Sequence, residues 1–267
     1  MKQQTPSRIF FLAGLLCTLL YCGGCSPHTE GEPIQQGLPT KYGIVIIDMQ
    51  EDFILPTGKL PVDRDQSRKT LQSINSLLAA VNINRVEILY VVNEFSPEDT
   101  IGNWFRNHAA IAGREGTKQV ADLTVVNDTF FIKDNPDAFS NVEFDAYLRD
   151  KKVNHLILAG VFADLCVMST AKGGQQRQYK VAVIPEAVAA KNNKNHATAI
   201  DKFQKLGVEI FSIDDAIKKF QPDVYIGIED IWAFSNFEKR KWWNTAAAGI
   251  GGVIGGFVAM VARAFWK

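Results

Sequence analysis

The amino-acid sequence predicts an α/β protein in which a doubly wound, mostly parallel sheet of six strands carries helices on both faces. Short apolar runs rich in Val and Ile recur through the middle of the chain, and segments with helical spacing of apolar residues lie between them. Regular alternation of strand and helix is typical of a Rossmann-like three-layer sandwich. We therefore expect one such domain over residues 42–220.

Six segments have the composition of buried strands. Each is short and almost wholly apolar, as expected for strands covered on both faces of a parallel sheet. They are residues 43–47, 86–92, 130–132, 155–159, 180–184 and 208–211.

Five segments between and after these strands have helical periodicity. In the first of them, Leu71, Ile74, Leu77 and Leu78 fall on one face, which is the pattern of a helix packed against a sheet. The predicted helices are residues 67–81, 142–151, 166–178, 195–206 and 214–220.

The charge balance and the cysteine positions restrict the class of protein. The 267 residues contain 29 basic and 29 acidic side chains, so nothing favours a polyanionic partner, and nucleic acid is not expected. Three of the four cysteines lie within the first 25 residues. Because Cys166 alone remains in the body of the chain, that body cannot form an internal disulfide.

The N-terminal 25 residues have the layout of a secretory signal. Basic residues are followed by the apolar run 9–20, and two glycines precede Cys25. This order predicts a signal peptide, or a lipoprotein signal in which Cys25 becomes the lipidated first residue; an uncleaved anchor is the alternative. Residues 26–41 are rich in Pro and Gly and are predicted to be a linker.

A second candidate membrane segment lies near the C-terminus. Residues 245–262 are uncharged, apolar and flanked by Trp and basic residues, which predicts a transmembrane helix preceded by a linker and interfacial segment, 221–244. A helix lying on the membrane surface or packed on a partner is the alternative. We expect a membrane-associated protein of the bacterial cell envelope with its domain outside the cytoplasm, although the basic cluster 239–241 favours the cytoplasmic side.

Three chemically active side chains follow predicted strands. Asp48 comes directly after the first strand, Lys133 directly after the third, and Cys166 begins the helix after the fourth. In open parallel sheets the ligand crevice lies beyond the carboxyl ends of the strands. We therefore expect the carboxylate, the ammonium and the thiol to meet at one edge of the sheet.

These three groups suit nucleophilic catalysis. A helix N-terminus and a nearby ammonium both favour the thiolate of Cys166, which would attack a carbonyl carbon. Asp48 would accept the thiol proton and return it to a departing amine. Lys133 would hold Asp48 in place, with its own charge state open because burial could lower its pKa.

Three linked motifs occur in order at these strand ends: Asp48-Met49-Gln50-Glu51-Asp52-Phe53, then Phe131-Ile132-Lys133 with Ala138-Phe139, then Gly160 to Val167. Over residues 42–212 the pattern resembles the isochorismatase-like cysteine hydrolases. The resemblance implies a catalytic triad of Asp48, Lys133 and Cys166. It further implies hydrolysis of a C–N bond in a small amide or carbamoyl substrate through a thioester, and a homo-oligomer.

The resemblance also implies details of the site. A cis peptide bond is expected between Val161 and Phe162, with the backbone N–H groups of Phe162 and Cys166 forming an oxyanion hole. Phe53, Trp104 and Phe162 are expected to line the substrate pocket, although Trp104 could equally be a core or subunit-contact residue. The chain departs from the family pattern at Ala163, where Thr is usual, and at Gln178, where Gly is common.

No metal or cofactor is predicted. The metal-binding members of the family use an Asp-x-His sequence followed by a nearby histidine, whereas the four histidines here are not spaced as ligands. Nicotinamide is therefore a poor substrate candidate. Two other functions remain open on the same fold: a non-catalytic, membrane-tethered binding or scaffold protein, and a redox-sensing thiol protein.

Overall fold

The computed structural model describes residues 27–81 and 85–220. Its strands are β1 (Tyr42–Ile47), β2 (Val86–Asn93), β3 (Phe130–Lys133), β4 (His155–Val161), β5 (Lys180–Ala189) and β6 (Glu209–Ile210). Its helices are α1 (Glu51–Ile54), α2 (Arg64–Ala80), α3 (Thr100–Phe105), α4 (Val142–Asp150), α5 (Cys166–Gln176), α6 (Asn193–Lys205) and α7 (Ile213–Phe220).

The strands form one sheet in the order β3-β2-β1-β4-β5-β6, and every neighbouring pair is parallel. The predicted six-stranded, doubly wound fold is confirmed. The strand order reverses between β1 and β4, because the chain builds the sheet outward from β1 on one side and from β4 on the other. Such a reversal opens a crevice at the carboxyl ends of the two central strands.

Helices cover both faces of the sheet. On one face α2 and α7 pack against alternate strand residues such as Ile44, Ile46 and Ile88. On the other face α4, α5 and α6 cover the intervening residues, among them Val45 and Leu89. Neighbouring residues of a strand point to opposite faces, so the central strands must be apolar throughout, as their sequences are.

Strand β3 lies at the edge of the sheet and is covered on one face only. Phe131 is buried, whereas Phe130 is 42% exposed and Ile132 is 52% exposed. The expectation that all six strands are buried on both faces is therefore wrong for β3. An edge strand has only one neighbour in the sheet, and here no helix covers its second face within the described residues.

The N-terminal segment has no helix or strand over residues 27–41, as a linker would, yet part of it is bound to the domain. Arg177 donates hydrogen bonds to the carbonyls of Thr29 (2.9 Å) and Glu30 (2.8 Å). Thr29 in turn donates its backbone N–H and its hydroxyl to the buried carboxylate of Asp137, at 2.7 and 2.8 Å. We refer to residues 29–34 as the docked segment.

Several predictions lie outside the described residues. The signal or lipoprotein signal over 1–25, the interfacial segment 221–244 and the transmembrane helix 245–262 all fall there. In the part of the chain that the structure describes, no helix combines the length and the apolar character needed to cross a membrane.

Candidate active site

Asp48 is the first residue beyond β1 and is fully buried. Its backbone N–H donates to the carbonyl of Val91 at 2.8 Å, which continues the sheet by one bond after the strand ends. Its φ of 56° lies in the left-handed region, which Asp tolerates better than most side chains. This local turn directs the chain away from the sheet and leaves the carboxylate at its edge.

Lys133 ends β3 and reaches the same carboxylate. Its Nζ lies 2.9 Å from Asp48 Oδ2, and both side chains are fully buried. The two strands are separated by β2, whose Asn93 pairs in register with Lys133. The long lysine side chain thus spans one intervening strand to form the ion pair.

Cys166 is the first residue of α5 and is 5% exposed. The turn before it contains the expected cis peptide bond between Val161 and Phe162. The Phe162 carbonyl accepts the backbone N–H groups of Leu165 (3.0 Å) and Val167 (3.1 Å), while Ala163 N–H donates to the carbonyl of Ala189 at 2.7 Å. The extended end of β5 therefore holds the turn that presents the cysteine.

The structure brings the three predicted side chains together. Asp48 and Lys133 form the ion pair, and Asn93 Nδ2 contacts both Asp48 Oδ2 (2.7 Å) and Cys166 Sγ (3.8 Å). The charges of Asp48 and Lys133 both act on the pKa of the thiol. Carboxylate, ammonium and thiol thus share one buried space at the carboxyl edge of the sheet.

The ionisation of Cys166 differs from the expectation. Burial raises the pKa of the thiol to about 12, because the opposing effect of Lys133 is smaller than that of desolvation and the Asp48 charge raises the pKa further. A helix N-terminus and an ammonium therefore do not suffice to make a resting thiolate. Burial thus favours the neutral thiol over the thiolate in the resting site.

The ion pair keeps Lys133 charged. Burial lowers the pKa of Lys133, but the negative charge of Asp48 and the hydrogen bonds with Asp48 and Cys166 more than offset this, so the pKa is raised. Burial also raises the pKa of Asp48, against the lowering effect of Lys133. A carboxylate whose pKa is raised in this way is a stronger base toward the thiol proton.

One backbone N–H of the predicted oxyanion hole faces the sulfur. The Phe162 N–H is directed at Cys166 Sγ and lowers the pKa of the thiol. The N–H of Cys166 belongs to the first turn of α5, where backbone donors lack partners within the helix. The positions of both donors are compatible with binding an oxyanion formed next to the sulfur.

Two of the three predicted pocket aromatics contact each other. Phe53 on α1 and Phe162 pack edge to face with ring centroids 5.6 Å apart, and both are buried. Trp104 is 69% exposed on α3, and its ring contacts Phe105. No ring contact joins Trp104 to Phe53 or Phe162 in the described residues, so the structure lends this part of the pocket prediction no support.

Asn93 is a site residue that the sequence analysis missed. It is 2% exposed, and Gln50 fixes its backbone: Asn93 N–H donates to Gln50 Oε1 (2.8 Å), and Gln50 Nε2 donates to the Asn93 carbonyl (2.7 Å). The available signal was its place at the end of β2, between the strands that carry Asp48 and Lys133.

The domain that carries this site matches a known protein family. The isochorismatase domain model matches residues 42–215. The chain belongs to the isochorismatase family. The predicted class, an isochorismatase-like cysteine hydrolase, is confirmed with it.

Curated isochorismatase-family relatives are distant but cover most of the domain. An uncharacterized isochorismatase family protein, PncA of Bacillus subtilis (strain 168), is 26% identical over 185 residues, or 64% of this chain and 98% of that protein. Ureidoacrylate amidohydrolase RutB of Pseudomonas savastanoi pv. phaseolicola (strain 1448A / Race 6) is 23% identical over 220 residues, which cover 73% of this chain and 89% of that protein.

Solved structures of the family share the fold. The nicotinamidase PncA from Bacillus subtilis superposes with a TM-score of 0.59 at 23% identity, covering 65% of this chain and 100% of that one. N-carbamoylsarcosine amidase from Thermoplasma acidophilum gives a TM-score of 0.57 at 24% identity, with 66% and 98% covered.

Gln178 stands where glycine is common in the isochorismatase family, and its φ of 62° is one that glycine adopts more easily.

Among the described residues, no three His, Cys, Asp or Glu side chains are grouped to hold a metal ion.

Proposed function

We propose that this isochorismatase-family protein hydrolyses a C–N bond of a small amide or carbamoyl compound through a thioester on Cys166. One observation carries the proposal: the Cys166 thiol shares a buried space with a carboxylate that is ion-paired to Lys133 at 2.9 Å. Such a carboxylate can accept a proton from the thiol and deliver it to a leaving nitrogen.

In the acylation step, Cys166 Sγ attacks the substrate carbonyl carbon and forms a C–S bond. The thiol proton passes to Asp48, and Asp48 then donates it to the leaving nitrogen as the C–N bond breaks. The substrate oxygen carries negative charge in the tetrahedral intermediate, where the N–H groups of Phe162 and Cys166 would stabilise it. Lys133 stays protonated throughout and offsets the charge on Asp48.

In the deacylation step, a water molecule attacks the thioester carbonyl. Asp48 accepts one proton of the water as the C–O bond forms, and this proton goes to the sulfur as the C–S bond breaks. The products are a free acid and the neutral thiol. Because the pKa of Cys166 is raised to about 12, the sulfur takes up this proton readily at physiological pH.

The names of relatives support the substrate class. Ureidoacrylate amidohydrolase, N-carbamoylsarcosine amidase and nicotinamidase, as those proteins are described, act on amide or carbamoyl nitrogen. Propionamide, nicotinamide, N-carbamoylsarcosine and 3-ureidopropionate sample these types, and together they form the panel for a test.

The test is to incubate the full chain with each amide of the panel, quench with acid and measure two quantities. Ammonia release reports turnover, and peptide mass spectrometry reports an acyl adduct on Cys166. We expect ammonia release with at least one amide and a Cys166 adduct of the matching acyl mass. Asp48→Ala should lower turnover by about a hundredfold or more and remove the adduct.

Ser169→Ala is the matched control, because Ser169 lies one turn along α5, is fully buried, and its hydroxyl has no hydrogen-bond partner in the described part of the chain. This variant should retain activity. Reversible oxidation of Cys166 without ammonia release would favour a redox-sensing thiol instead. No turnover and no adduct with any amide would favour a non-catalytic binding protein.

A further inference from the structure

The side-chain amide of Asn93 makes a hydrogen bond through its nitrogen but none through its oxygen within the described residues. Its Nδ2 donates to Asp48 Oδ2 at 2.7 Å, whereas its Oδ1 is buried and has no hydrogen-bond partner within the described residues. A buried amide oxygen without a donor is costly. Native proteins seldom contain one unless a ligand or water completes it.

The orientation of this amide follows from its neighbours. If the group were turned over, Oδ1 would lie 2.7 Å from a carboxylate oxygen, and two acceptors would face each other. The Asp48 carboxylate therefore selects Nδ2 as its partner. The backbone of Asn93 is held on both sides by Gln50, so the residue cannot easily move to satisfy Oδ1 elsewhere.

The free oxygen belongs to the amide group that contacts the nucleophile. Oδ1 is bonded to the same carbon as Nδ2, and Nδ2 is 3.8 Å from Cys166 Sγ. The Asp48 carboxylate has a side-chain hydrogen bond with Cys166 and accepts the thiol proton in the proposed mechanism, so it is already engaged. Asn93 Oδ1 is thus a buried acceptor beside the nucleophile that an N–H of a bound substrate would satisfy.

We infer that Asn93 determines specificity, its Oδ1 accepting a hydrogen bond from an N–H of the scissile amide. On this basis the preferred substrates carry a hydrogen on the amide or carbamoyl nitrogen, as unsubstituted amides do. An ester of the same acyl group leaves Oδ1 unpaired, and sites built to bind an N–H discriminate strongly against analogues that lack it. The inference rests on the proposed function and narrows its substrate class.

The experiment compares each amide of the panel with the methyl ester or methyl carbamate of the same acyl group, using the full chain. In Asn93→Ala we expect kcat/KM for the amide to fall at least about tenfold more than kcat/KM for the ester. Loss of the bond from Nδ2 to Asp48 slows both substrates and slows the amide more, because the leaving nitrogen needs the proton of Asp48 more than methoxide does. The N,N-dimethyl amide of the same acyl group needs this proton equally but has no N–H, so the fall in kcat/KM for the unsubstituted amide relative to the dimethyl amide isolates the contact with the substrate N–H.

Two further variants accompany the alanine substitution. Asn93→Ser retains an oxygen acceptor, so its ratio of kcat/KM for the unsubstituted amide to kcat/KM for the dimethyl amide should lie between those of the wild type and Asn93→Ala, and it can be measured even if the alanine variant does not fold. Asn103→Ala is the matched control: Asn103 is equally buried at 2% exposure but bonds the Ser96 carbonyl in the α3 region. Its ratio should equal that of the wild type.

The outcomes separate this inference from the function on which it rests. If the wild type hydrolyses an amide but Asn93 variants slow the unsubstituted and the dimethyl amide by the same factor, Asn93 only positions Asp48 and the inference is overturned. If the wild type hydrolyses no amide of the panel, the proposed function fails and the inference fails with it. A loss on the unsubstituted amide that exceeds the loss on the dimethyl amide supports both.

Discussion

At the scale of single residues, the neutral thiol of Cys166 determines how the site would work. Its pKa is raised to about 12, which favours the neutral thiol, so the proposed mechanism has Asp48 accept the proton as the sulfur attacks. Lys133 favours the thiolate, but desolvation by burial outweighs it and the negative charge of Asp48 adds to the effect of burial. On this mechanism the thiolate is generated when substrate is bound, and we expect the resting sulfur to react slowly with alkylating reagents.

Replacing Asp48 by Asn should separate ionisation of the thiol from catalysis. The substitution removes a negative charge that raises the pKa of Cys166 and leaves Lys133, which lowers it. The pKa of the thiol should fall, so iodoacetamide should modify Cys166 faster in Asp48→Asn than in the wild type at pH 8. In the wild type the rate should rise about tenfold per pH unit from pH 8 toward pH 11. Peptide mass spectrometry measures Cys166 separately from the other cysteines.

The same variant should have lost its hydrolytic activity, because an amide cannot carry the proton to the leaving nitrogen. Faster alkylation with abolished turnover is thus the expected pair of results. Equal alkylation rates in the two proteins would mean that the Asp48 charge does not act on the thiol.

The sequence predicted the residues that follow strands but not their surroundings. Asp48 and Lys133 are recognisable because each is a charged side chain directly after an apolar run, and Cys166 because it begins the helix that follows another. Asn93 ends an apolar strand in the same way, yet an uncharged amide there has an ordinary explanation as a strand terminus. Its role depends on Gln50, which is 43 positions away in the sequence, and only the fold brings the two together.

At the scale of elements, the close approach of β4 to β1 positions Cys166 relative to Asp48. Gly160 pairs in register with Ile47, has a φ of 115°, and a Cβ at this position would lie 2.0 Å from the Ile47 carbonyl oxygen. No side chain can be accommodated there without moving one strand. Ile47 directly precedes Asp48, and Gly160 precedes the turn that leads to Cys166, so this contact fixes the distance between acid and nucleophile.

Gly160→Ala should therefore reduce both stability and activity. We expect a loss of about 3 kcal/mol in unfolding free energy, from the backbone conformation and the collision with β1, and a decrease in kcat as Cys166 moves relative to Asp48. Gly207→Ala is the control, because Gly207 also has a positive φ (73°) but nothing within 4 Å of the added Cβ. It should lose about 1 kcal/mol with kcat unchanged. Denaturant unfolding and steady-state kinetics check both, and equal effects would contradict the steric argument.

Longer helices were predictable and shorter ones were not, whereas among the strands β5 runs over Lys180–Ala189 and so continues beyond the predicted end at residue 184. The sequence placed α2, α4, α5, α6 and α7 close to their observed bounds, since each repeats its apolar pattern for two turns or more. Helices α1 and α3 have four and six residues, too few for a period to appear. The exposed face of β3 was also missed, because composition does not reveal which strand lies at the edge.

At the scale of the whole molecule, the docked segment extends the domain beyond its sheet and helices. Arg177 is almost fully buried, stacks on the Phe139 ring and pairs with Asp145, besides its bonds to the docked segment. Burial raises the pKa of Asp137, which binds Thr29, and the hydrogen bonds that its carboxylate accepts offset part of this rise. These contacts cover the C-terminal end of α5, the helix that begins with Cys166.

Arg177→Ala should release the docked segment and destabilise the protein by about 3 kcal/mol, because it removes a buried guanidinium and leaves the carbonyls of Thr29 and Glu30 without their donor. Arg149→Ala is the matched control: Arg149 contacts the same Asp145 oxygen and bonds the carbonyls of Glu32 and Pro33, but its side chain is 33% exposed. The Arg149→Ala substitution should lower the free energy of unfolding by less than about 1 kcal/mol. Thermal unfolding and hydrogen exchange over residues 29–34 distinguish the two. If Arg177→Ala leaves exchange in the docked segment at the wild-type rate, the buried arginine does not hold it in place.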